Sequence, residues 1–164
     1  MKTGVLGLGA MGASMARNLQ QAGYLQCVWN RTAEKAVRLG AELNVAVADD
    51  AALLAQQCEL IILSVSADSD VLDVVRALLP GLVPGTVIVD TSTVSRETAR
   101  QVAELLQAAG VAFLDAPVSG GTEGARQGTL SMMVGGDAAV VERVTPVLSS
   151  IAATITHMGT VGSG

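Results

Sequence analysis

The chain has 164 residues, of which 50% are hydrophobic and only 15% charged, with a formal net charge of −5; this composition suits one globular domain and excludes a long disordered tail. Its Lys and Arg residues are scattered rather than gathered into a basic patch, which argues against a nucleic-acid partner. No apolar run approaches the roughly 18 uninterrupted residues of a membrane span.

In chain order, a strand is expected over 2–6 and a helix over 10–22, with Met15, Leu19 and Ala22 on one side and Gly23 in the left-handed place after it. A strand at 25–30 leads to a helix at 32–39, closed by Gly40, and then to a strand at 44–47. Asp49 is the candidate cap of a helix at 50–56. The next strand, 60–65, contains Leu60-Ile61-Ile62-Leu63, apolar on both faces as in a covered central strand. A helix at 69–78 is separated by Pro80 and Pro84 from a strand at 86–91. Ser95 caps a helix over 95–109, ended by Gly110. A strand at 112–116, a helix at 122–127, a strand at 130–134, a helix at 138–149 capped by Asp137, and a strand at 153–158 complete the pattern. Alternating β and α segments imply an α/β fold: a Rossmann-type, doubly wound, mostly parallel sheet in a single three-layer domain covering 1–164.

The first strand runs into Gly7-Leu8-Gly9-Ala10-Met11-Gly12 at the start of a helix. In that context the three glycines have separate tasks. Gly7 permits the tight turn, Gly9 lets a pyrophosphate approach the backbone, and Gly12 lets the helix pack on the sheet. The helix N-terminus then faces the anion. About 18 residues past Gly12, near the roughly 20 expected for a ribose-binding carboxylate, stand Asn30, Arg31 and Thr32 instead. Asn30 offers a 2′-phosphate no repulsion, Arg31 offers it a guanidinium fork, and Thr32 a hydroxyl or a helix cap. The cofactor expected is therefore NADP. Farther on, Ser119-Gly120-Gly121 lies between a predicted strand and a predicted helix, where a hydroxyl and free backbone N–H groups can form an anion nest.

Three segments make the chain resemble the β-hydroxyacid dehydrogenase family, which includes 3-hydroxyisobutyrate dehydrogenase and, more distantly, 6-phosphogluconate dehydrogenase. They are Gly7 through Leu19, Asp90-Thr91-Ser92-Thr93-Val94-Ser95, and Asp115-Ala116-Pro117-Val118-Ser119-Gly120-Gly121-Thr122-Glu123-Gly124-Ala125. The resemblance implies that Thr93 lines the nicotinamide side and that Ser119, Gly120 and Gly121 hold the carboxylate of a small substrate. It also implies that Val65 and Ser66 lie over the cofactor, where the family often has Leu-Pro, and that Asp70 lies near the nicotinamide ribose. In the family, Gly162-Ser163-Gly164 introduces a helix bearing the catalytic Lys. A C-terminal all-helical domain carrying that Lys is therefore expected beyond Gly164, and this part alone is expected to be inactive.

The implied function is hydride transfer between NADPH and a small semialdehyde or 2-oxoacid, in a full-length homo-oligomer. An oxidative decarboxylase of the 6-phosphogluconate dehydrogenase type would need a phosphate-binding basic cluster that this part lacks. A non-catalytic NADP-binding module and an imine reductase are further alternatives. Within the chain, Lys2 and Lys35 are the only lysines, and neither is expected at the substrate segment. His157, the one histidine, reads as a satisfied edge or core imidazole. Cys27 and Cys58 lack CxxC spacing and read as reduced thiols of a cytoplasmic protein, and with one distant His they make no metal site. Glycines near the start and Arg17 argue against a signal peptide. Mean hydropathy is +0.49, high enough to suggest apolar surface that meets a second domain or subunit.

Overall fold

The computed structural model describes residues 1–164. Short apolar runs form β1 (Thr3–Leu6), β2 (Leu25–Trp29), β3 (Ala46–Val47), β4 (Leu60–Leu63), β5 (Val87–Asp90) and β6 (Ala112–Asp115). Between them lie α1 (Ala10–Gln21), α2 (Ala33–Leu43), α3 (Ala51–Gln57), α4 (Asp68–Leu78), a 3₁₀ turn at Leu79–Gly81, and α5 (Arg96–Gln107). The last third holds β7 (Val118–Ser119), α6 (Gly121–Gln127), β8 (Leu130–Gly135), α7 (Ala138–Leu148) and β9 (Ala152–Gly159).

Six strands are parallel in the order β3-β2-β1-β4-β5-β6. The order reverses between β1 and β4, which opens a crevice at their carboxyl ends. Beyond β6 the sheet changes direction. β8 runs antiparallel to β6 through Asp115↔Gly135, and β7 continues the same register through Val118↔Met132 and Ser119↔Ser131. The two-residue β7 was not legible in the sequence, and it extends β6 along one edge of β8. β9 lies on the other edge of β8, parallel to it.

Both sheet faces are covered, so the central strands are apolar throughout: all four residues of β4 and Val87, Ile88 and Val89 of β5 are fully buried. One core joins Met15 and Leu19 of α1 to Met132 and Val134 of β8 and Val144 and Leu148 of α7. The other joins Leu54, Val71, Val75, Val102 and Leu106 of α3, α4 and α5. Each such side chain contributes about 1.5–3 kcal/mol by burial, so the high mean hydropathy is largely absorbed inside. The large apolar side chains left exposed are Val37, Leu53, Val83, Met133 and Met158. No helix is long and apolar enough to cross a membrane.

Several boundaries differ from expectation. Ala22 is the exposed cap of α1 rather than part of its buried face, which is Gly12, Met15, Ala16 and Leu19. Asp50, not Asp49, caps α3, because its extended backbone lets the carboxylate accept from the Leu53 N–H at 2.8 Å. Ser95 and Asp137 do cap α5 and α7. The strand expected at 44–47 is only Ala46–Val47, because α2 runs on to Leu43 and ends on Asn44 in the left-handed conformation. Gly40 is therefore inside α2, not after it, and a Cβ there would overlap Val47 Cγ2. Packing of α2 on β3 has overridden the local stop signal. Ala outranks Gly in a helix by about 1 kcal/mol, yet Gly40→Ala should destabilise the fold by about 1–2 kcal/mol through that overlap. Urea unfolding of the variant, alone and combined with Val47→Ala, checks this: the sign should reverse once Val47 is truncated.

Candidate functional site

The glycine loop sits at the crevice between β1 and β4. Gly7 has φ +97, and a Cβ on it would strike the Ser64 carbonyl, while a Cβ on Gly12 would strike the Gly7 carbonyl. These contacts bring α1 hard against the switch point. A Cβ on Gly9, by contrast, would meet no protein atom within 4 Å. The N-cap is Gly9, with no side-chain cap and no acidic residue in the first turn. The donors of Ala10, Met11 and Gly12 thus begin a helix whose positive end is left for an anion. Gly9 and Ala10 are exposed. Leu8 differs: its side chain belongs to the core, and its N–H is spent within the chain.

The acceptor for that N–H is Asn30 Oδ1, at 2.8 Å, while Asn30 Nδ2 donates to the Thr32 carbonyl at 3.1 Å. Beyond being uncharged, Asn30 therefore fastens the glycine loop to the end of β2. A carboxylate here could accept from Leu8 but could not donate to Thr32. Arg31 and Thr32 are exposed, and Thr32 is the N-cap of α2 without a side-chain cap bond, so its hydroxyl is not committed there. A cleft of about 250 Å³ brings Gly7, Gly9, Asn30, Arg31 and Thr32 together with Val65 and Ser66. It also contains Lys35, which sequence reasoning did not assign to the site. Its signal was its place in the first turn of α2, four residues after Arg31, and both cations line the same cleft. Asp70 lies here too, 3.7 Å from Arg31 Nη1. Arg31 is 67% exposed, so this pair is a weak, displaceable one.

Val65 and Ser66 follow β4, which ends at Leu63, two residues earlier than expected. The Val65 N–H donates to Ser92 Oγ at 3.0 Å, tying this loop to the one after β5. Thr93 is exposed on that second loop, outside the cleft just described. The loop is held from below by Asp68, which accepts from the Ser95 N–H at 3.2 Å and from Thr98 Oγ1 at 2.8 Å. Those bonds, Thr98 first, hold the Asp68 carboxyl below its ordinary range.

Ser119 belongs to β7 and pairs with Ser131, so the backbone positions outside the sheet are Gly120 and Gly121, exposed, with φ of +125 and +62. They start α6, which packs on α1; Asn18 Nδ2 donates to the Ala125 carbonyl at 2.7 Å. The Ser-Gly-Gly segment is thereby keyed to the glycine-loop helix but does not line the same cleft. His157 Nε2 bonds the Gly136 carbonyl at 2.7 Å, as a satisfied edge imidazole would. Cys27 and Cys58 are buried free thiols, and burial pushes Cys58 up to about 12.

Asp90, at the end of β5, is fully buried; Oδ1 accepts from the Ser92 N–H at 2.9 Å, and Oδ2 has no partner. Burial, aided by neighbouring Asp115 and Asp68, pushes its carboxyl up from 3.8 to about 6. A carboxyl raised on folding favours the fold when protonated. That contribution is complete below the unfolded value and is lost as pH rises through about 6. The full loss is about 3 kcal/mol. Asp90→Asn should therefore gain stability relative to wild type as pH rises from about 4 to about 8, by roughly 2–3 kcal/mol. Urea unfolding of both proteins across that range measures it, and a pH-independent difference would refute the assignment.

Residues 2–159 match the family model described as the NAD binding domain of 6-phosphogluconate dehydrogenase. The chain is 41% identical, over 97% of its length, to a 3-hydroxyisobutyrate dehydrogenase of Pseudomonas aeruginosa, of which it covers 54%. It is 38% identical, again over 97% of its length, to an NAD-dependent L-serine dehydrogenase of the same organism, also covering 54% of that protein. Among solved structures, the Mycobacterium tuberculosis 3-hydroxyisobutyrate dehydrogenase with L-serine superposes with a TM-score of 0.94 at 36% identity, over 99% of this chain and 56% of that one. The chain thus spans about half the length of the curated relatives it matches. With the glycine loop at the switch point and a match over nearly its whole length, the chain belongs to the family of NAD binding domains typified by 6-phosphogluconate dehydrogenase.

Proposed function

We propose that the chain is the NADP-binding domain of an oxidoreductase that interconverts a small semialdehyde or 2-oxoacid with its hydroxyacid. The observation that carries the cofactor choice is the cation pair Arg31 and Lys35 at the cleft mouth, with neutral Asn30 at the end of β2 where an NAD-binding unit has a carboxylate. The open space at Gly9 and the uncapped start of α1 fit a pyrophosphate. In this reading Arg31, Thr32 and Lys35 hold the 2′-phosphate, and Arg31 exchanges its weak contact with Asp70 for that phosphate. Val65, Ser66 and Thr93 border the nicotinamide half. The Ser119 hydroxyl and the backbone of Gly120 and Gly121 take the substrate carboxylate. When bound, the nicotinamide supplies or accepts the hydride.

The substrate oxygen also needs a proton donor or acceptor. Lys35 belongs to the adenosine end, Lys2 precedes β1 at the amino end of the strands, away from the crevice, and His157 is bonded to Gly136. The resemblance to the β-hydroxyacid dehydrogenases implies a Lys on an all-helical domain for this role, and relatives about twice as long as this chain leave room for such a domain after Gly164. The chain alone then binds NADPH without appreciable turnover. Buried, unpaired Cys27 and Cys58 fit a reducing cytoplasmic setting.

Titration with NADPH and NADH, followed by nicotinamide fluorescence, tests the cofactor half. NADPH should bind ahead of NADH, and Arg31→Ala should weaken NADPH by roughly 10–100-fold, the value of a charge-assisted bond, while changing NADH by less than about threefold. Equal losses for both cofactors would overturn the NADP assignment.

A further inference from the structure

Residues 160–164 follow β9 without forming helix or strand, and three of the last five are small: Gly162, Ser163 and Gly164. Val161 packs against the second core, while the three small residues have little side chain to pack and are placed by backbone bonds. Two of these end on one buried carboxylate: Asp115, 5% exposed, accepts from the Gly162 N–H at 2.7 Å through Oδ1 and from the Gly164 N–H at 2.9 Å through Oδ2. From the other side, Arg96 Nε donates to the Gly162 carbonyl at 3.3 Å. Arg96 is the first residue of α5, three positions after Thr93. Together Ser92, Thr93, Ser95, Arg96, Asp115 and Gly162 close around a cavity of about 70 Å³.

A carboxylate is costly to bury, and a neutral amide would put a donor NH2 in place of one of the two accepting oxygens. A side chain that spends both oxygens on a strap of small residues suits the task of fixing that strap. We propose that Asp115 is a positioning residue: by gripping Gly162 and Gly164 it holds the 160–164 strap against Arg96, and so fixes the loop that carries Thr93. Strap and loop then move as one unit. The consequence for cofactor affinity rests on the reading of Thr93 as a nicotinamide neighbour; the coupling itself does not. Burial raises the Asp115 carboxyl, and the Gly162 and Gly164 bonds and Arg96 oppose that rise, so the grip itself favours the ionised form. Asp90, its register partner on β5, is the acidic neighbour across the strands.

Amide hydrogen exchange by NMR on the ligand-free chain tests the coupling. Asp115→Asn should speed exchange at Gly162 or Gly164 by about tenfold or more, and exchange at Ser92–Ser95 should rise with it. Arg96→Met, an exposed change that leaves the core intact, should loosen both segments to a smaller degree and keeps the test open if the first variant folds poorly. NADPH affinity should fall by roughly threefold or more in both variants, a loss of about 0.7 kcal/mol. A strap that exchanges faster while Ser92–Ser95 stay protected would overturn the proposal, as would unchanged strap protection in Asp115→Asn. A wild-type chain that binds no NADPH would overturn the cofactor reading, while the exchange measurement would still decide the coupling.

Discussion

Gly12 lies on the Gly7 carbonyl with no space for a Cβ, and Gly7 lies as closely on the carbonyl of Ser64. This double contact sets how near α1 comes to the sheet at the point where strand order reverses. A methyl group at either glycine would push the helix start away from the crevice. The first N–H groups of α1 would then point elsewhere, and the open space above Gly9 would lose its donors. The cleft lined by Asn30, Arg31, Lys35, Val65 and Ser66 opens beside these touching backbone segments, and Gly7 and Ser64 line it too.

Side chains then lace the strand ends together in turn. Asn30 joins the loop after β2 to the one after β1, Ser92 joins the loop after β5 to the one after β4, Asp68 joins the start of α4 to the cap of α5, and Asp115 joins β6 to the strap after β9. Each lace is a polar side chain bonded to a backbone group that no helix or strand satisfies. The loops at this end are therefore ordered by hydrogen bonds, whereas the body of the domain is ordered by apolar burial on both faces of the sheet.

Local dipoles and two cations offset the net charge of −5 at the proposed anion site. Arg31 and Lys35 stand at the cleft mouth, and the glycine loop up to Gly9, the N-cap of α1, lines it. Of the carboxylates near the strand ends, Asp70 shares the cleft in a weak contact with Arg31, whereas Asp68 is committed to α5, Asp115 to the strap, and Asp90 to the Ser92 backbone. Asp90 remains half-satisfied, with one oxygen buried and alone, so part of this end of the sheet is held against a desolvation cost.

The sequence by itself determined the alternating β/α order, the covered central strands, the glycine loop and the cationic end of β2. These features are local: apolar runs, glycine spacing and caps such as Ser95 and Asp137 are written within a few residues of where they act. Only the tertiary structure decided that α2 runs through Gly40, because the room for it is set by Val47 on another element. It also decided that Lys35 shares the cleft, that Asp70 faces Arg31, and that Asn30 holds Leu8, since each depends on how separate elements sit together. The short β7 and the grip of Asp115 on Gly162 and Gly164 were invisible for the same reason. A two-residue strand has no period to read, and hydrogen bonds linking residues 47 and 49 positions apart leave no pattern in the chain between them.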